Sequence, residues 1–356
     1  MSSPADSHQA LYHDMSLAMC SLACGRLYPT LHPPPVDLTG KVAIVTGGNS
    51  GIGCQIATEL ARQKATVYLA CRNSAKAEEA ISQIASAVPD CADRIKILSL
   101  DTSSLSSVRK CAETWKSGGL NIDILVHNAG IGSTPPGQPF TSDGFPVIYA
   151  TNLLGSFALT QQLEPHLSND ARVIFTSSTG QYSGVFTPDF SLEAVRNQLE
   201  PGFHAPRAAV KANGVAADSA MYSNTKHMQV TFAKLLQNRW DAAAKEKGIV
   251  NNRIAHAFSP GFTMTPIFGK ITSSAILKDP IYWFLKTSTV LATDVSQGAA
   301  TAVWLATTDD EAVTGQGMGG KFWERMTRRV TGVDLMSPEK LARFWNRWES
   351  DAGTKW

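Results

Sequence analysis

Short apolar runs rich in β-branched residues alternate along the chain with longer segments in which apolar residues recur at helical spacing. The runs lie at residues 41–46, 66–71, 95–100, 122–127 and 172–177, with two later candidates at 253–258 and near 318–322. Between the first two runs, Ile52, Ile56 and Leu60 share one helix face. Strands that alternate with helices of this length predict an α/β fold, in which one doubly wound parallel sheet of about seven strands carries helices on both faces.

Three divisions of the chain follow from this rhythm. Residues 1–36, closed by three prolines, are predicted to be an N-terminal extension, residues 37–330 a single domain, and residues 331–356 a helical tail. Within the domain, residues 181–218 and 262–293 are long and contain Gly and Pro. Such segments in compact α/β domains often bind ligands, so we predict that both are substrate loops.

Two further helices are predicted from local signals. A short helix is expected at residues 192–199, inside the first loop. In the tail, Ser337 followed by Pro338 is typical of a helix start. The apolar stripe that follows is expected to pack against the domain or a partner chain, and consists of Leu341, Phe344, Trp345 and Trp348.

The composition is that of a globular protein in a reducing compartment. Apolar residues make up 43% of the chain and charged residues 17%, and the net charge of +2 is too small to predict nucleic-acid or membrane electrostatics. Six cysteines contain no CxxC pair, and Cys54 and Cys71 are predicted to be core residues. A zinc site that uses Cys20 and Cys24 is the less favoured alternative, so we predict no metal.

The location predicted from the sequence is cytoplasmic. The N-terminus has no basic region before a short apolar piece at residues 15–24, and no run of eighteen apolar residues occurs. Residues 281–292 come nearest to such a run, but Lys286 interrupts them. Peripheral membrane contact through residues 15–24 stays open as an alternative.

The segment Tyr222-Ser223-Asn224-Thr225-Lys226 places a phenol and an ammonium at positions i and i+4. On a helix these positions share a face, so both heads can converge on one point. A nearby ammonium favours the phenolate, which would let Tyr222 exchange protons near neutral pH. The alternative is a chance pairing on a solvated helix face.

A glycine-rich segment, Thr46-Gly47-Gly48-Asn49-Ser50-Gly51-Ile52-Gly53, joins the first strand to the first helix of the domain. Glycines allow a tight turn and close approach of the backbone to phosphate. Free amides at the helix start, together with the helix dipole, then favour an anion. The pattern TGxxxGxG between strand and helix therefore predicts a nucleotide phosphate site.

These motifs, and four others in the same order, resemble the short-chain dehydrogenase/reductase family in its single-domain branch. The four are His127-Asn128-Ala129-Gly130, similar to the NNAG turn with His127 in place of Asn, Asn152 in Thr151-Asn152-Leu153, Ser177-Ser178, and Pro260-Gly261. The resemblance covers roughly residues 38–322 and implies a Rossmann-type fold. Ala70-Cys71-Arg72-Asn73 is similar to the second-strand ending of retinol-dehydrogenase-like members, and fungal reductases of secondary metabolism share this look.

The resemblance implies a role for each matching position. Tyr222 would be the general acid or base, Lys226 would orient the nicotinamide ribose, Ser178 would hold the substrate oxygen, and Asn152 would hold a proton-relay water. Ser177 is the alternative to Ser178, because Gly180 follows after one residue where the family has two. Cofactor contacts are implied for Gly47, Asn49, Ser50, Gly51, Ile52, Gly53, Arg72, Asp101, Asn128, Ala129, Gly130, Asn152, Tyr222, Lys226, Pro260, Gly261 and Thr263, with Thr265 as a second candidate at the last position.

Arg72 decides the predicted cofactor. Members that prefer NAD carry an acidic residue after the second strand, whereas this chain has Arg72 there. A guanidinium can bind a ribose 2′-phosphate through two hydrogen bonds, so NADP(H) is predicted. The alternative is a solvated cation. Asp101 resembles the residue that contacts adenine, and its alternative role is the N-cap of a helix from Ser103.

The predicted function is that of an NADP(H)-dependent oxidoreductase acting on a ketone or aldehyde and the corresponding alcohol. Its partner would be a bulky apolar small molecule resembling a secondary metabolite, retinoid or steroid, with homo-oligomerisation open and nucleic acid not expected. Oxidation of a retinoid or steroid alcohol is the alternative among enzymes. A non-catalytic regulator that senses NADP is the alternative from another class. A nucleotide-sugar epimerase fits less well, because the chain has no room for a large C-terminal substrate domain.

Overall fold

The computed structural model describes residues 4–184, 217–263 and 292–356, and within them eight strands form one sheet. The strands are β1 (Val42–Thr46), β2 (Thr66–Cys71), β3 (Ile95–Ser99), β4 (Ile122–His127), β5 (Leu167–Thr176), β6 (Ile254–Ser259), β7 (Phe322–Glu324) and β8 (Thr327–Arg329). Their order is β3-β2-β1-β4-β5-β6-β7-β8. Every neighbouring pair is parallel except the last, in which β8 runs antiparallel to β7.

Helices cover both faces of this sheet. They are α1 (Pro4–Cys24), α2 (Gly51–Arg62), α3 (Ser74–Ala87), α4 (Leu105–Gly118), α5 (Val147–Tyr149), a π-helical turn (Ala150–Leu154), α6 (Gly155–Leu163), α7 (Ala217–Glu246), α8 (Val295–Thr307), α9 (Glu311–Thr314) and α10 (Pro338–Ala352). Along β5, Val173 and Phe175 join the core under α4, α6, α7 and α10, whereas Ile174 joins the core under α2, α3 and α8. The doubly wound α/β prediction is confirmed.

The sheet differs from the prediction at three places. Strand β5 begins at Leu167 rather than at residue 172, because a register shift between Ile122 and Ile124 lets Leu167 pair with Ile122 before the fully buried run starts. Strand β7 begins only at Phe322. Strand β8 is an eighth strand of the sheet. The turn that joins it to β7 consists of Arg325 and Met326, which both have positive φ angles.

The tail forms the predicted helix and covers one core. Ser337 caps α10 by accepting a hydrogen bond from the Lys340 amide. Phe344 and Trp348 are fully buried, and the Trp348 ring lies 5.7 Å from the Phe232 ring of α7. The apolar stripe therefore packs against the domain itself.

The N-terminal segment contains a helix that contacts the last two strands. In α1, Asp14 Oδ2 accepts a hydrogen bond of 2.7 Å from the Val330 amide just after β8. Ser21 Oγ donates to Glu324 Oε1 at 3.3 Å in β7. Further on, the Leu31 amide donates to Gln297 Oε1 of α8 at 2.7 Å. This part of the chain lies against the domain, and its separation from the domain at residue 36 stays a prediction.

Two predicted segments fall mainly outside the described residues. Most of the loops at 181–218 and 262–293, the helix at 192–199 and Thr265 lie there. Within the parts of the chain that are described, none of the helices combines the length and the apolar character needed to span a bilayer.

Candidate active site

The glycine-rich turn between β1 and α2 lies at the carboxyl edge of the sheet. Gly47 and Gly51 have φ values of +64° and +55°, which side chains rarely adopt. A Cβ on Gly53 would lie 2.5 Å from the Gly47 carbonyl, so close packing also requires glycine there. Ser50 is the N-cap of α2 but makes no side-chain capping bond, and it is exposed beside half-buried Asn49 and Ile52. The first turn of α2 can therefore offer amides to a phosphate.

The turn after β4 is tied to this glycine turn. The amides of Asn128 and Ala129 both donate to Thr46 Oγ1, at 2.9 and 3.0 Å. Asn128 Nδ2 donates to the Thr46 carbonyl at 3.1 Å. These bonds fix the position of two predicted cofactor residues relative to the glycine-rich turn, whereas contact of either with the cofactor stays a prediction.

His127, which departs from the family pattern, is a buried core residue. Its Nε2 lies 2.7 Å from Thr160 Oγ1, and its ring stacks on Phe175 with centroids 4.9 Å apart. Burial lowers the pKa of His127 to about 3, so the imidazole is neutral at physiological pH. His127 therefore contributes to the packing of β4 against α6 and carries no charge there.

Ser178 and Tyr222 meet at the end of β5. The Ser178 side chain shares a hydrogen bond with the Tyr222 phenol and accepts one from the Gly180 amide at 3.1 Å. Ser177 instead is buried, and its Oγ donates to the Lys226 carbonyl at 2.7 Å. Of the two candidate serines, Ser178 therefore faces Tyr222.

Lys226 lies on the same face of α7 as Tyr222, with its Nζ 5.4 Å from the centre of the Tyr222 ring. Its ammonium is almost fully buried and donates to the Thr176 carbonyl at 2.7 Å and to Gln229 Oε1 at 3.1 Å. Burial lowers the pKa of Lys226 to about 7. Both heads therefore converge at one point, as the spacing predicts.

The pKa of Tyr222 differs from our expectation. We expected Lys226 to lower it, but burial of the phenol raises the pKa above its ordinary value, and the hydrogen bond from Ser178 opposes that rise only in part. The physical reason is that burial disfavours the charged form of both groups. Tyr222 and Lys226 therefore form a pair in which burial raises the pKa of the phenol and lowers the pKa of the ammonium.

Asn152 lies in the π-helical turn that precedes α6. Its Oδ1 accepts from the Ile131 amide at 2.8 Å, and its Nδ2 donates to the Ile131 carbonyl and to Thr225 Oγ1, both at 3.0 Å. The Asn152 carbonyl accepts from Gln229 Nε2 at 2.7 Å. The structure thus places Asn152 beside Lys226, and its role in holding a relay water stays a prediction.

Gln229 and Thr225 belong to this cluster, although the sequence reasoning did not identify them. Gln229 bridges Lys226 and Asn152, and Thr225 Oγ1 donates to the Tyr222 carbonyl at 2.8 Å. Both lie three residues after a predicted catalytic residue, so they share its helix face. The spacing marks both as polar neighbours on this helix face, but it does not reveal the hydrogen bond that Gln229 makes to the Asn152 carbonyl.

Arg72 and Asp101 lie together at the ends of β2 and β3. The Arg72 side chain is 78% exposed, and its Nη1 lies 3.5 Å from Asp101 Oδ2. Asp101 Oδ1 also accepts from the Ser103 amide at 2.9 Å. The alternative role of Asp101 as a helix N-cap is wrong, because α4 begins at Leu105 and Ser104 caps it.

The turn after β6 places Pro260, Gly261 and Thr263 at the same edge of the sheet. Gly261 has a φ of +71°, and its amide donates to Ser259 Oγ at 3.1 Å. Thr263 is buried, and its Oγ1 donates to the Pro260 carbonyl at 2.9 Å. Contact of these residues with the nicotinamide stays a prediction.

Other candidate groups are structural in the described part of the chain. Tyr182 donates its hydroxyl to the Val330 carbonyl at 3.0 Å, so it ties the segment after β5 to the end of β8. Cys71 is buried, Cys54 is partly buried, and both are free thiols. Among the described residues, no group of His, Cys, Asp or Glu has a metal-binding arrangement.

Comparison with known proteins finds that the chain is similar in sequence to dehydrogenases and reductases. The family model for short chain dehydrogenase matches residues 41–188. A short-chain dehydrogenase/reductase from Armillaria gallica is 32% identical over 321 residues, which cover 87% of this chain and 89% of that protein. Retinol dehydrogenase 12 from Mus musculus is 29% identical over 313 residues, covering 87% and 86% respectively.

A solved structure shows the same fold. The crystal structure of L-sorbose reductase from Gluconobacter frateurii, in complex with NADPH and L-sorbose, matches with a TM-score of 0.55. The match covers 82% of this chain and 97% of that one, at 20% sequence identity. At that identity the likeness concerns the fold alone.

Proposed function

Because the chain belongs to the short-chain dehydrogenase/reductase family, we propose that it is an NADP(H)-dependent oxidoreductase that interconverts a ketone or aldehyde and the corresponding alcohol. The observation that carries this proposal is the Tyr222 phenol, which shares a hydrogen bond with Ser178 and lies beside the buried Lys226 ammonium. This arrangement offers a proton donor and an oxygen-binding hydroxyl at the same point.

In the proposed chemistry the nicotinamide, when bound, supplies or accepts hydride at the substrate carbon. Tyr222 gives a proton to the carbonyl oxygen in reduction, or takes one from the hydroxyl in oxidation. Ser178 holds that oxygen by a hydrogen bond. The Lys226 ammonium favours the ionised phenol electrostatically, so it compensates part of the effect of burial on Tyr222.

The residues present fit a dinucleotide with a 2′-phosphate. Gly47 and Gly51 leave the turn before α2 without side chains that would cover its amides. Exposed Arg72 offers a guanidinium at the end of β2, where a ribose 2′-phosphate would give two charge-assisted hydrogen bonds.

We propose a bulky apolar substrate. Support comes from the name of retinol dehydrogenase 12 and from the apolar sequence of residues 262–293. A secondary-metabolite ketone is the other substrate class that we propose. Reduction is the proposed direction, since NADPH is kept reduced in the cytosol, where we predict the protein to act. Assembly into a homo-oligomer stays a prediction.

The test follows NADPH absorbance over a panel of bulky ketones and aldehydes with the parent protein and Tyr222→Phe. We expect the variant to lose turnover by about 10³-fold while its Kd for NADPH stays within about threefold. Tyr182→Phe is the matched control, because it removes a nearby phenol that bonds only the Val330 carbonyl in the described chain. In a parallel arm, Arg72→Ala should raise the Kd for NADPH about tenfold or more and leave the Kd for NADH unchanged.

Two outcomes would contradict the proposal. Turnover in Tyr222→Phe equal to that of the parent would remove the phenol from the chemistry. Tight NADPH binding without turnover of any carbonyl or alcohol in the parent would favour the NADP-sensing regulator instead.

A further inference from the structure

The Lys226 ammonium is held by two neutral acceptors from different parts of the molecule. It donates to the Thr176 carbonyl at the end of β5 and to Gln229 Oε1 one turn along α7. An ammonium has three N–H donors. Two of them are therefore engaged by described protein groups, and the third remains for the cofactor or solvent side.

Gln229 is oriented by bonds at both ends of its amide. Its Oε1 accepts from Lys226 at 3.1 Å, whereas its Nε2 donates to the Asn152 carbonyl at 2.7 Å. Exchange of the two amide atoms would set N–H groups against the ammonium and oxygen against oxygen, so only one orientation is compatible with these neighbours. Gln229 has no solvent exposure, so water cannot replace either bond without a structural change.

Asn152 makes this bridge rigid. Its side chain is fixed by the Ile131 backbone and by Thr225. Its carbonyl belongs to a π-helical turn, a backbone irregularity that is frequent at functional sites. The start of α6, which follows this turn directly, is packed closely, since a Cβ on Gly155 would clash with the Thr102 carbonyl.

We propose that Gln229 is a positioning residue for Lys226: its amide oxygen fixes the ammonium while its amide nitrogen is anchored on the Asn152 carbonyl, so that the third N–H of Lys226 is directed toward the cofactor or solvent side. This inference rests on the proposed function. An amide neither gains nor loses a proton over the working pH range, so Gln229 orients Lys226 without carrying its proton. The resemblance places a relay water at Asn152, whereas this chain places an amide at the Asn152 carbonyl.

The groups that face the ammonium set the expected pH effects. From β5 and the turn after β4 they are uncharged, namely the Thr176 carbonyl and the backbone of Gly130, where an added Cβ would lie 3.6 Å from Lys226 Nζ. The titratable neighbour on α7 is Tyr222. Removing the Gln229 oxygen therefore removes an interaction that favours charged Lys226, and adding a carboxylate there strengthens it.

The experiment compares Gln229→Met and Gln229→Glu with the same changes at Gln237. Gln237 is a matched control on the same helix, since it is also buried and its Oε1 accepts from the Ala255 amide at 2.9 Å. Two readouts are used: the pH profile of kcat with NADPH, and an NMR titration of 13Cε-labelled Lys226 in the cofactor-free protein.

We expect Gln229→Met to move the Lys226 titration to lower pH by about one unit and Gln229→Glu to move it upward by at least as much. The limb of the pH profile should move with it, and kcat at pH 7 in Gln229→Met should fall about tenfold. The Gln237 variants should lower thermal stability and leave both profiles unchanged. Should Gln229→Met fail to fold, Gln229→Glu against Gln237→Glu decides by the same titration.

Unmoved titrations in the Gln229 variants, or equal shifts in the Gln237 variants, would overturn the inference. The NMR readout separates it from the proposed function. If the parent has no turnover but the titrations move as stated, the proposed function fails and the positioning of Lys226 by Gln229 stands.

Discussion

Two buried ionisable groups, Lys226 beside the end of β5 and Glu324 at the end of β7, lie in polar clusters of different construction. Burial brings both pKa values to about 7, from above for Lys226 and from below for Glu324. The described partners of the Lys226 ammonium are neutral dipoles. Glu324 faces a charge, since its Oε2 lies 3.7 Å from Arg329 Nε, and its Oε1 accepts from Ser21 and Thr179.

The presence or absence of a balancing opposite charge helps to decide whether a buried ionisable group has a structural or a functional role. Around Glu324, the opposite charge and the hydroxyls come from α1, β8 and the segment that follows Ser178, so the carboxylate connects three elements. Around Lys226, no described ion pair balances the ammonium, and its charge is available to a ligand or to Tyr222. An unbalanced buried charge is expensive to fold, which makes a functional origin the better explanation for Lys226.

The largest expected effect is on turnover, and it applies to the Lys226 cluster only. Lys226→Met should lower kcat/KM with NADPH about 10³-fold, because the variant lacks both the charge beside Tyr222 and the donor toward the cofactor. Lys234→Met is the matched control on α7, where Nζ donates to the Val333 carbonyl at 3.1 Å. Steady-state kinetics give the comparison, and equal losses in both variants would show that α7 integrity, rather than the Lys226 charge, limits turnover.

Much of the fold could be predicted because it rests on periodic burial. Strands β1, β2 and β4 are apolar on both faces, and the α2 and α10 stripes recur at helical spacing, so pattern alone identifies them. Strand β8 could not be found in this way. It has three residues, Thr327–Arg329, two of them exposed, and its position depends on pairing with β7.

The same distinction applies to the buried polar residues: those that lie in motifs could be predicted, whereas those placed only by tertiary contacts could not. Tyr222, Ser178 and Asn152 lie in motifs whose spacing points to a shared chemistry. Gln229 has no motif, and its role depends on the carbonyl of a turn that is 77 residues earlier in the chain. Glu324 was equally hidden, because a single Glu in a short strand gives no sign that α1 will bury it.

The second prediction separates the two clusters by the pH dependence of stability. Lys226 has a folded pKa of about 7, below its ordinary 10.5, so the unfolded chain binds more protons between these values. The free energy of unfolding of the parent should therefore rise with pH in that window by up to about 1.4 kcal/mol per unit. In Lys226→Met this contribution is absent.

Glu324 should give the opposite slope. Its folded pKa of about 7 lies above its ordinary 4.5, so the folded chain binds more protons, and the stabilising contribution present below pH 4.5 is lost as pH rises to 7. The loss is about 3 kcal/mol over the window. Glu324→Gln should remove it while kcat stays near that of the parent. Urea unfolding from pH 4 to 10 measures both slopes, and curves that run parallel to the parent in either variant would contradict its assignment.

The smallest effect concerns how α1 is attached to the Glu324 cluster. Asp14 Oδ1 lies 3.4 Å from Arg329 Nη1, and Asp14 Oδ2 accepts from the Val330 amide at 2.7 Å. Asp14→Asn keeps an acceptor for that amide but removes the charge, so the free energy of unfolding should fall by about 1 kcal/mol. Because Asp14 and Glu324 share Arg329, a double-mutant cycle with Glu324→Gln should show a coupling above about 0.5 kcal/mol.

Arg62→Gln, which breaks an exposed pair with Glu59, is the control and should change stability by less than about 0.5 kcal/mol. Additive effects at Asp14 and Glu324 would mean that α1 and β7 are held separately, and the Glu324 cluster would then be two independent contacts rather than one.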